Sequence, residues 1–228
     1  EEEELFPLDL YRKAAAAGFL GLEYPERYGG TPCDKFMFIA YVEEFIGGCG
    51  SSGLFSGLSS HTIASPPVLA LGTEEQKERF LTPVLCGEKV AALGITEPDA
   101  GSDVANIRTR AVRDGDCYVV NGSKTFITSG CRANFITTAV RTGGPGHKGI
   151  SLLVIDSSTP GFRVSRKLKK TGWHATDTAE LSFEDCRVPV ENLLGVEGDG
   201  FRGIMLNFQN ERLTLAVEAT ATAQLSLE

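Results

Sequence analysis

Residues 94–103, GITEPDAGSD, follow an apolar run and gather the hydroxyls of Thr96 and Ser102, three carboxylates and a proline into ten positions. Thr96 and Ser102 can donate hydrogen bonds, and Ala100 and Gly101 would let a ligand approach backbone amides. That chemistry suits an electron-rich ring system or a phosphate. A capped connection out of a strand at 91–95, stiffened by Pro98, has the same composition. In residues 124–130, KTFITSG, strand alternation puts Phe126 and Thr128 on one face. One could stack on a planar ring while the other bonds to its edge, although an ordinary half-buried strand reads alike.

Glu211, within NFQNERLTLA, is the most informative position. Ile204, Phe208, Glu211 and Leu215 recur at helical spacing, so a carboxylate falls in line with apolar residues. Burial there disfavours its charged form and raises its pKa toward neutrality, the range of an efficient general base. The alternatives are an ion pair with a neighbouring element or a solvated residue at the end of the stripe. Arg212 points elsewhere on the helix and is not its automatic partner.

The elements that must hold these residues fall into three stretches. An alanine-rich helix is predicted over 9–19, with Gly18 near its stop, and a second follows Asp34 as N-cap, burying Phe38, Val42, Phe45 and Ile46. Thr73 to Gln76 form a capping-box pattern before a helix ending near Gly87, with Pro83 expected to kink its last turn. From Lys89 the pattern turns to short β-branched runs, predicting antiparallel strands at 135–141, 150–156 and 179–184. Asp114-Gly115 and Asn121-Gly122 both read as tight hairpin turns. Beyond Pro189, residues 195–200, GVEGDG, lack the strand-turn-helix context of a dinucleotide fingerprint and read as a hinge. A helix over 201–228 follows, whose apolar surface calls for a partner.

The formal net charge of −8 opposes a nucleic-acid footprint. The six cysteines are widely spaced and read as reduced thiols, and no metal-ligand spacing is present. Residues 45–73 carry no charge but are too rich in Gly, Ser and Pro for a membrane span. The opening EEEE resembles no targeting signal and reads as a solvated end, which points to the cytosol or an organelle matrix. His61, His147 and His174 read as surface or polar-core residues, and residues 166–170, RKLKK, as a solvated edge.

Taken in order, the strings TEPDAGSD, NGSKTFIT, GWHATDT, FEDCRVP and EGDGF closely resemble the acyl-CoA dehydrogenase family across nearly the whole chain. The resemblance implies an α+β architecture: an N-terminal helical domain (1–90), a middle antiparallel β domain (91–194) and the first helix of a C-terminal helical bundle (195–228). It implies FAD between the last two, with most of the bundle outside this chain. By matching positions, Thr96 and Thr128 would hydrogen-bond the flavin, Phe126 would pack on the isoalloxazine face, where the family often has tryptophan, and Ser102 would contact a pyrophosphate. The family's base lies either on a loop of the bundle or in the helix motif E-R-L of the isovaleryl-like and long-chain-like branches. Glu211-Arg212-Leu213 matches the second.

Glu211 would then be the catalytic base, with Arg212 and Ser102 binding substrate; an aspartate that meets the pantetheine arm in some members is Gln209 here. The implied activity is α,β-dehydrogenation of an acyl-CoA thioester to a trans-2-enoyl-CoA, with an electron-transferring flavoprotein as acceptor and a homodimer or homotetramer as assembly. An acyl-CoA oxidase or related flavin monooxygenase is an alternative within chemistry. A non-catalytic flavoprotein, as in the family's DNA-associated stress-response branch, is another, opposed by the acidic charge.

Overall fold

The protein is described by a computed structural model covering residues 3–227; Glu1, Glu2 and Glu228, and with them part of the acidic opening run, lie outside the described residues. Helix α1 (Leu8–Ala16) stops at Gly18, whose φ of 81° ends it in the left-handed region. Helix α2 (Lys35–Cys49) begins where Asp34 accepts a 2.8 Å bond from the Met37 amide, and buries Phe38, Val42 and Ile46. Phe45 is half-buried on the same side. The uncharged stretch folds as three short helices, α3 (Ser52–Leu58), α4 (His61–Ala64) and α5 (Pro66–Leu71). Among the described residues no helix is long and apolar enough to cross a membrane.

The capping box is present in full at Thr73 and Gln76, opening α6 (Glu74–Gln76). Gln76 also donates from its amide to the carbonyls of Glu191 and Leu193, at 2.7 and 2.8 Å, which ties this helix to the strand region. A π turn over Lys77–Leu81 precedes α7 (Thr82–Leu85), so the irregularity falls before Pro83 and not at it. Pro83 stands in the first turn of that last segment, where its missing N–H costs little.

The strands are β1 (Ala91–Gly94), β2 (Arg110–Asp114), β3 (Cys117–Thr128), β4 (Phe135–Arg141), β5 (Ile150–Asp156), β6 (Phe162–Lys167), β7 (Thr178–Pro189) and β8 (Leu193–Leu194). They form one sheet in the order β6-β7-β3-β2-β4-β5-β8, with β1 added on β4. Pairing is antiparallel except where β1 and β2 meet β4 in parallel. On β4, Phe135 and Ala139 face the core beneath the helices while Ile136 and Val140 face a second core built on β3 and β7. Strands buried on both faces read as continuous apolar runs, which is why β4 and β5 were visible end to end in the sequence.

The β2–β3 turn is made by Gly115-Asp116, one residue beyond the expected pair, because Asp114 still pairs with Cys117, and Asn121-Gly122 does not turn the chain. It lies inside β3 at a register shift opposite β7, with Gly122 at φ 148°. A Cβ on Gly122 would lie 2.6 Å from the Thr109 backbone, so the glycine serves a bulge and a close approach. Strand β6 is the exposed edge anticipated from its basic run, with Arg166 paired to Glu180 at 2.6 Å.

Helix α8 (Gly200–Leu227) spans both halves of the molecule. Its start packs tightly, as Gly200 abuts Ser151 and Gly203 abuts Leu71 and Leu152. Farther along, Val217 and Ala221 join the cluster of Phe38, Val42, Ile46 and Phe55. The preceding glycine segment is held by a 2.9 Å bond from the Gly198 amide to Ser151 Oγ and one from Tyr118 to Glu197.

Candidate active site

The opening segment of the site is organised by a residue whose role the sequence did not reveal. Glu97 is buried and accepts from the amides of Arg108 and Thr109 and, at 2.8 Å, from Lys124 Nζ, whose side chain is fully enclosed. Lys124 also donates to the Ile95 carbonyl at 2.9 Å. Burial pulls the Lys124 ammonium down to about 8 against the attraction of Glu97. For Glu97, burial alone would raise the carboxyl, but the lysine and the donated hydrogen bonds hold it below the ordinary carboxylate range. The pair clamps the loop 95–109 onto β3.

That clamp sets Thr96 beside the end of β3, where the Thr125 amide donates to the Thr96 carbonyl at 2.9 Å. Between Lys124 and Ile127 the pairing with β7 slips, and Phe126 takes φ 58°. Thr125 and Ile127 turn into the core while the Phe126 ring is 67% exposed and Thr128 is half-buried. A non-glycine residue in the left-handed region is costly and marks a backbone constrained from outside. The constraint follows directly: Ser129 receives its place from an amide bond to the Asp177 carbonyl, and Arg132 pairs with the Asp177 carboxylate. Arg132 also donates to the Gly57 carbonyl and to Ser129 Oγ, and lies 3.8 Å over the Phe6 ring. No hydrogen bond occupies the Thr96 or Thr128 hydroxyls among the described residues.

Glu211 projects from α8 between two cavities of about 290 and 270 Å³. The first is lined by Leu22, Lys35 and Phe38 among others, the second by Thr128, Trp173, Ser60 and Glu218. Burial pushes the Glu211 carboxyl up to about 7, with the neighbouring Arg212 charge opposing weakly. One turn earlier on the helix, Asn207 donates from Nδ2 to Glu211 Oε1 at 2.5 Å and to the Ile63 carbonyl at 2.8 Å. This fixes the carboxylate without neutralising it. No ion pair to Glu211 occurs among the described residues.

Residues 1–88 match the acyl-CoA dehydrogenase N-terminal domain and residues 92–186 the acyl-CoA dehydrogenase middle domain. The chain is 40% identical to the short-chain specific acyl-CoA dehydrogenase of Clostridium acetobutylicum, over 98% of its own length and 59% of that protein. It is 38% identical to the mitochondrial isobutyryl-CoA dehydrogenase of Bos taurus, over 100% and 54%. A crystal structure of a probable acyl-CoA dehydrogenase from Mycobacterium abscessus superposes with a TM-score of 0.97 at 54% identity, covering 99% of this chain and 60% of that one. The chain belongs to the acyl-CoA dehydrogenase family.

Members of the acyl-CoA dehydrogenase family are FAD-dependent flavoproteins, and this chain spans 54% to 59% of the length of these two relatives. Its helix, sheet and closing-helix architecture is the family's. Within it, Thr96, Phe126 and Thr128 gather around the end of β3, and Thr128 shares a cavity with Glu211. Ser102 is exposed beyond the turn, and Arg212 is exposed and lines neither cavity. Two expectations need correction. Ala100 does not offer a free amide: it is buried, and its N–H and carbonyl both bond to Glu97 in a closed turn. Leu215 does not extend a buried stripe, being 52% exposed. Gly101, next to Ala100, keeps open space where a Cβ would sit.

Sequence reasoning also passed over Asn207, Arg132 and Asp177. Asn207 was detectable, since it stands four residues before Glu211 on one helix face. Arg132 and Asp177 are 45 residues apart and carried no local signal.

Proposed function

We propose that this chain supplies the FAD cradle and the catalytic base of an acyl-CoA dehydrogenase that converts an acyl-CoA thioester to a trans-2-enoyl-CoA. The reading divides the chain at 90/91 and 194/195 into helical, β and closing-helix units. The residues fit the cofactor on their own chemistry: an exposed aromatic plate held by backbone strain stands beside two hydroxyls with no partner among the described residues. Bound there, FAD supplies a hydride acceptor at the flavin N5. Thr96 and Thr128 would hydrogen-bond the ring edge, Phe126 would pack against it, and Ser102 would hold the pyrophosphate. Ser102 and Arg212 also contribute to substrate binding.

Glu211 would take the α-proton of the thioester, with the bound flavin supplying the acceptor for the β-hydrogen. A carboxyl held near 7 is ionised in a useful fraction at neutral pH and remains basic enough to accept a carbon-bound proton. Asn207 holds one oxygen of that carboxylate in place. The observation that carries the reading is the shared wall: Thr128 on β3 and Glu211 on α8 line the same cavity. Electrons then pass to an electron-transferring flavoprotein, and the protein acts as a homodimer or homotetramer in the cytoplasm or the mitochondrial matrix.

The test is anaerobic bleaching of the FAD-loaded protein by an acyl-CoA panel. Glu211→Gln is expected to slow bleaching by about 10²- to 10⁴-fold. Fast bleaching in that variant would remove Glu211 from the base role.

A further inference from the structure

The cavity that joins Thr128 to Glu211 is unlike a sleeve for a plain hydrocarbon. Glu218, seven residues beyond Glu211 on α8, lines the same space, is only 5% exposed, and has an Oε1 with no hydrogen-bond partner. Ser60, between α3 and α4, lines it from the facing side, is 2% exposed, and has a hydroxyl equally without a partner. No basic side chain lines this cavity among the described residues, and burial is the one cause that lifts the Glu218 carboxyl to about 7. Two buried polar groups that bond to nothing among the described residues need a reason, because an unsatisfied buried acceptor costs more than a hydrogen bond returns.

We infer that Glu218 and Ser60 form a polar subsite for the distal part of the acyl group, and that the preferred acyl-CoA carries a hydroxyl two helical turns, roughly 10 Å, from the carbon at which Glu211 acts. A hydroxyl matches both groups at once, donating to Glu218 Oε1 and accepting from Ser60 Oγ. An alkyl chain of the same length would seal both away from water and leave them unmatched, the situation in which polar sites discriminate most strongly. Thr62 and Thr214, also in the wall, extend the polar lining on the side toward Glu211. This subsite rests on the dehydrogenase reading only for the identity of the thioester, since the orphaned groups stand whether or not turnover occurs.

The experiment measures binding and turnover separately. Calorimetric affinities of the FAD-loaded protein for octanoyl-CoA and ω-hydroxyoctanoyl-CoA are compared in the wild type, Glu218→Leu, Glu218→Gln and Ser60→Ala, with anaerobic flavin bleaching followed in parallel. The wild type is expected to bind the hydroxyacyl thioester at least about tenfold more tightly. Glu218→Leu should invert the ratio in favour of octanoyl-CoA, Glu218→Gln should keep part of it through its amide oxygen, and Ser60→Ala should reduce it. Equal or tighter binding of octanoyl-CoA by the wild type, or a preference untouched by Glu218→Leu, overturns the inference. Hydroxyl-selective binding without bleaching would support the subsite and count against the dehydrogenase reading. Bleaching by octanoyl-CoA with no hydroxyl preference would do the reverse.

Discussion

Glu97 and Glu211 are both carboxylates withdrawn from water, and they have opposite fates. Glu97 meets an enclosed ammonium and two amides, stays ionised, and pins a loop to a strand. Glu211 meets one asparagine and a cavity, and its proton affinity climbs instead. Glu218 goes further, with an oxygen that meets nothing. A buried acid whose partners lie within the chain is part of the architecture; one whose partners are missing is set for something that arrives from outside.

The contrast breaks most visibly at Lys124. Lys124→Met would leave Glu97 enclosed without its cation, and should cost about 3 to 5 kcal/mol in urea unfolding together with loss of bound FAD. The double variant Glu97→Gln/Lys124→Met, which removes both buried charges and keeps one side-chain oxygen for the Arg108 and Thr109 amides, should recover part of that. Equal losses in both would show that the charge pairing is not what holds the loop.

Glu218→Gln should act in the other direction, and only at higher pH. The folded-state pKa is raised from 4.5 to about 7, so the folded protein holds a proton that the unfolded chain releases between those values. The contribution is fully present below about pH 4.5 and is lost as pH rises through 7. At about pH 8 and without acyl ligand, the variant should therefore be more stable than the wild type, by on the order of 2 kcal/mol, with no gain near pH 4. Urea midpoints at both pH values decide it.

Asn207→Leu removes the one donor to Glu211. Ionisation then becomes harder, and the rising limb of kcat/KM, expected near pH 7 in the wild type, should move alkaline by about one unit. An unmoved limb would detach Asn207 from the base. The smallest effect belongs to Phe126→Leu, which should weaken FAD binding about fivefold in a fluorescence titration, while Phe126→Trp keeps it.

Much of this contrast lay outside the reach of the sequence. Glu211 was legible because helical periodicity is local: a carboxylate among Ile204 and Phe208 stands out within a few turns. Asp34, the Thr73 to Gln76 box and strands β4 and β5 were legible for the same reason, each written in adjacent residues. The Glu97–Lys124 pair spans 27 positions and two elements, and no spacing rule links them. Asn121-Gly122 misled because a glycine pair serves turns and bulges alike, and the decision belongs to Thr109 across the sheet. Glu218 was overlooked since its significance is a property of the space around it, lined partly by β3 and the loop bearing Trp173.

The left-handed backbone at Phe126 has one more consequence. The ring stands where main-chain geometry sets it, clear of close side-chain packing, so the position works as a mounting bracket whose fitting can be exchanged. Another flat side chain could be installed there without rebuilding its surroundings, and the aromatic's identity is freer to vary across descendants of this scaffold than the Arg132 and Asp177 brace behind it.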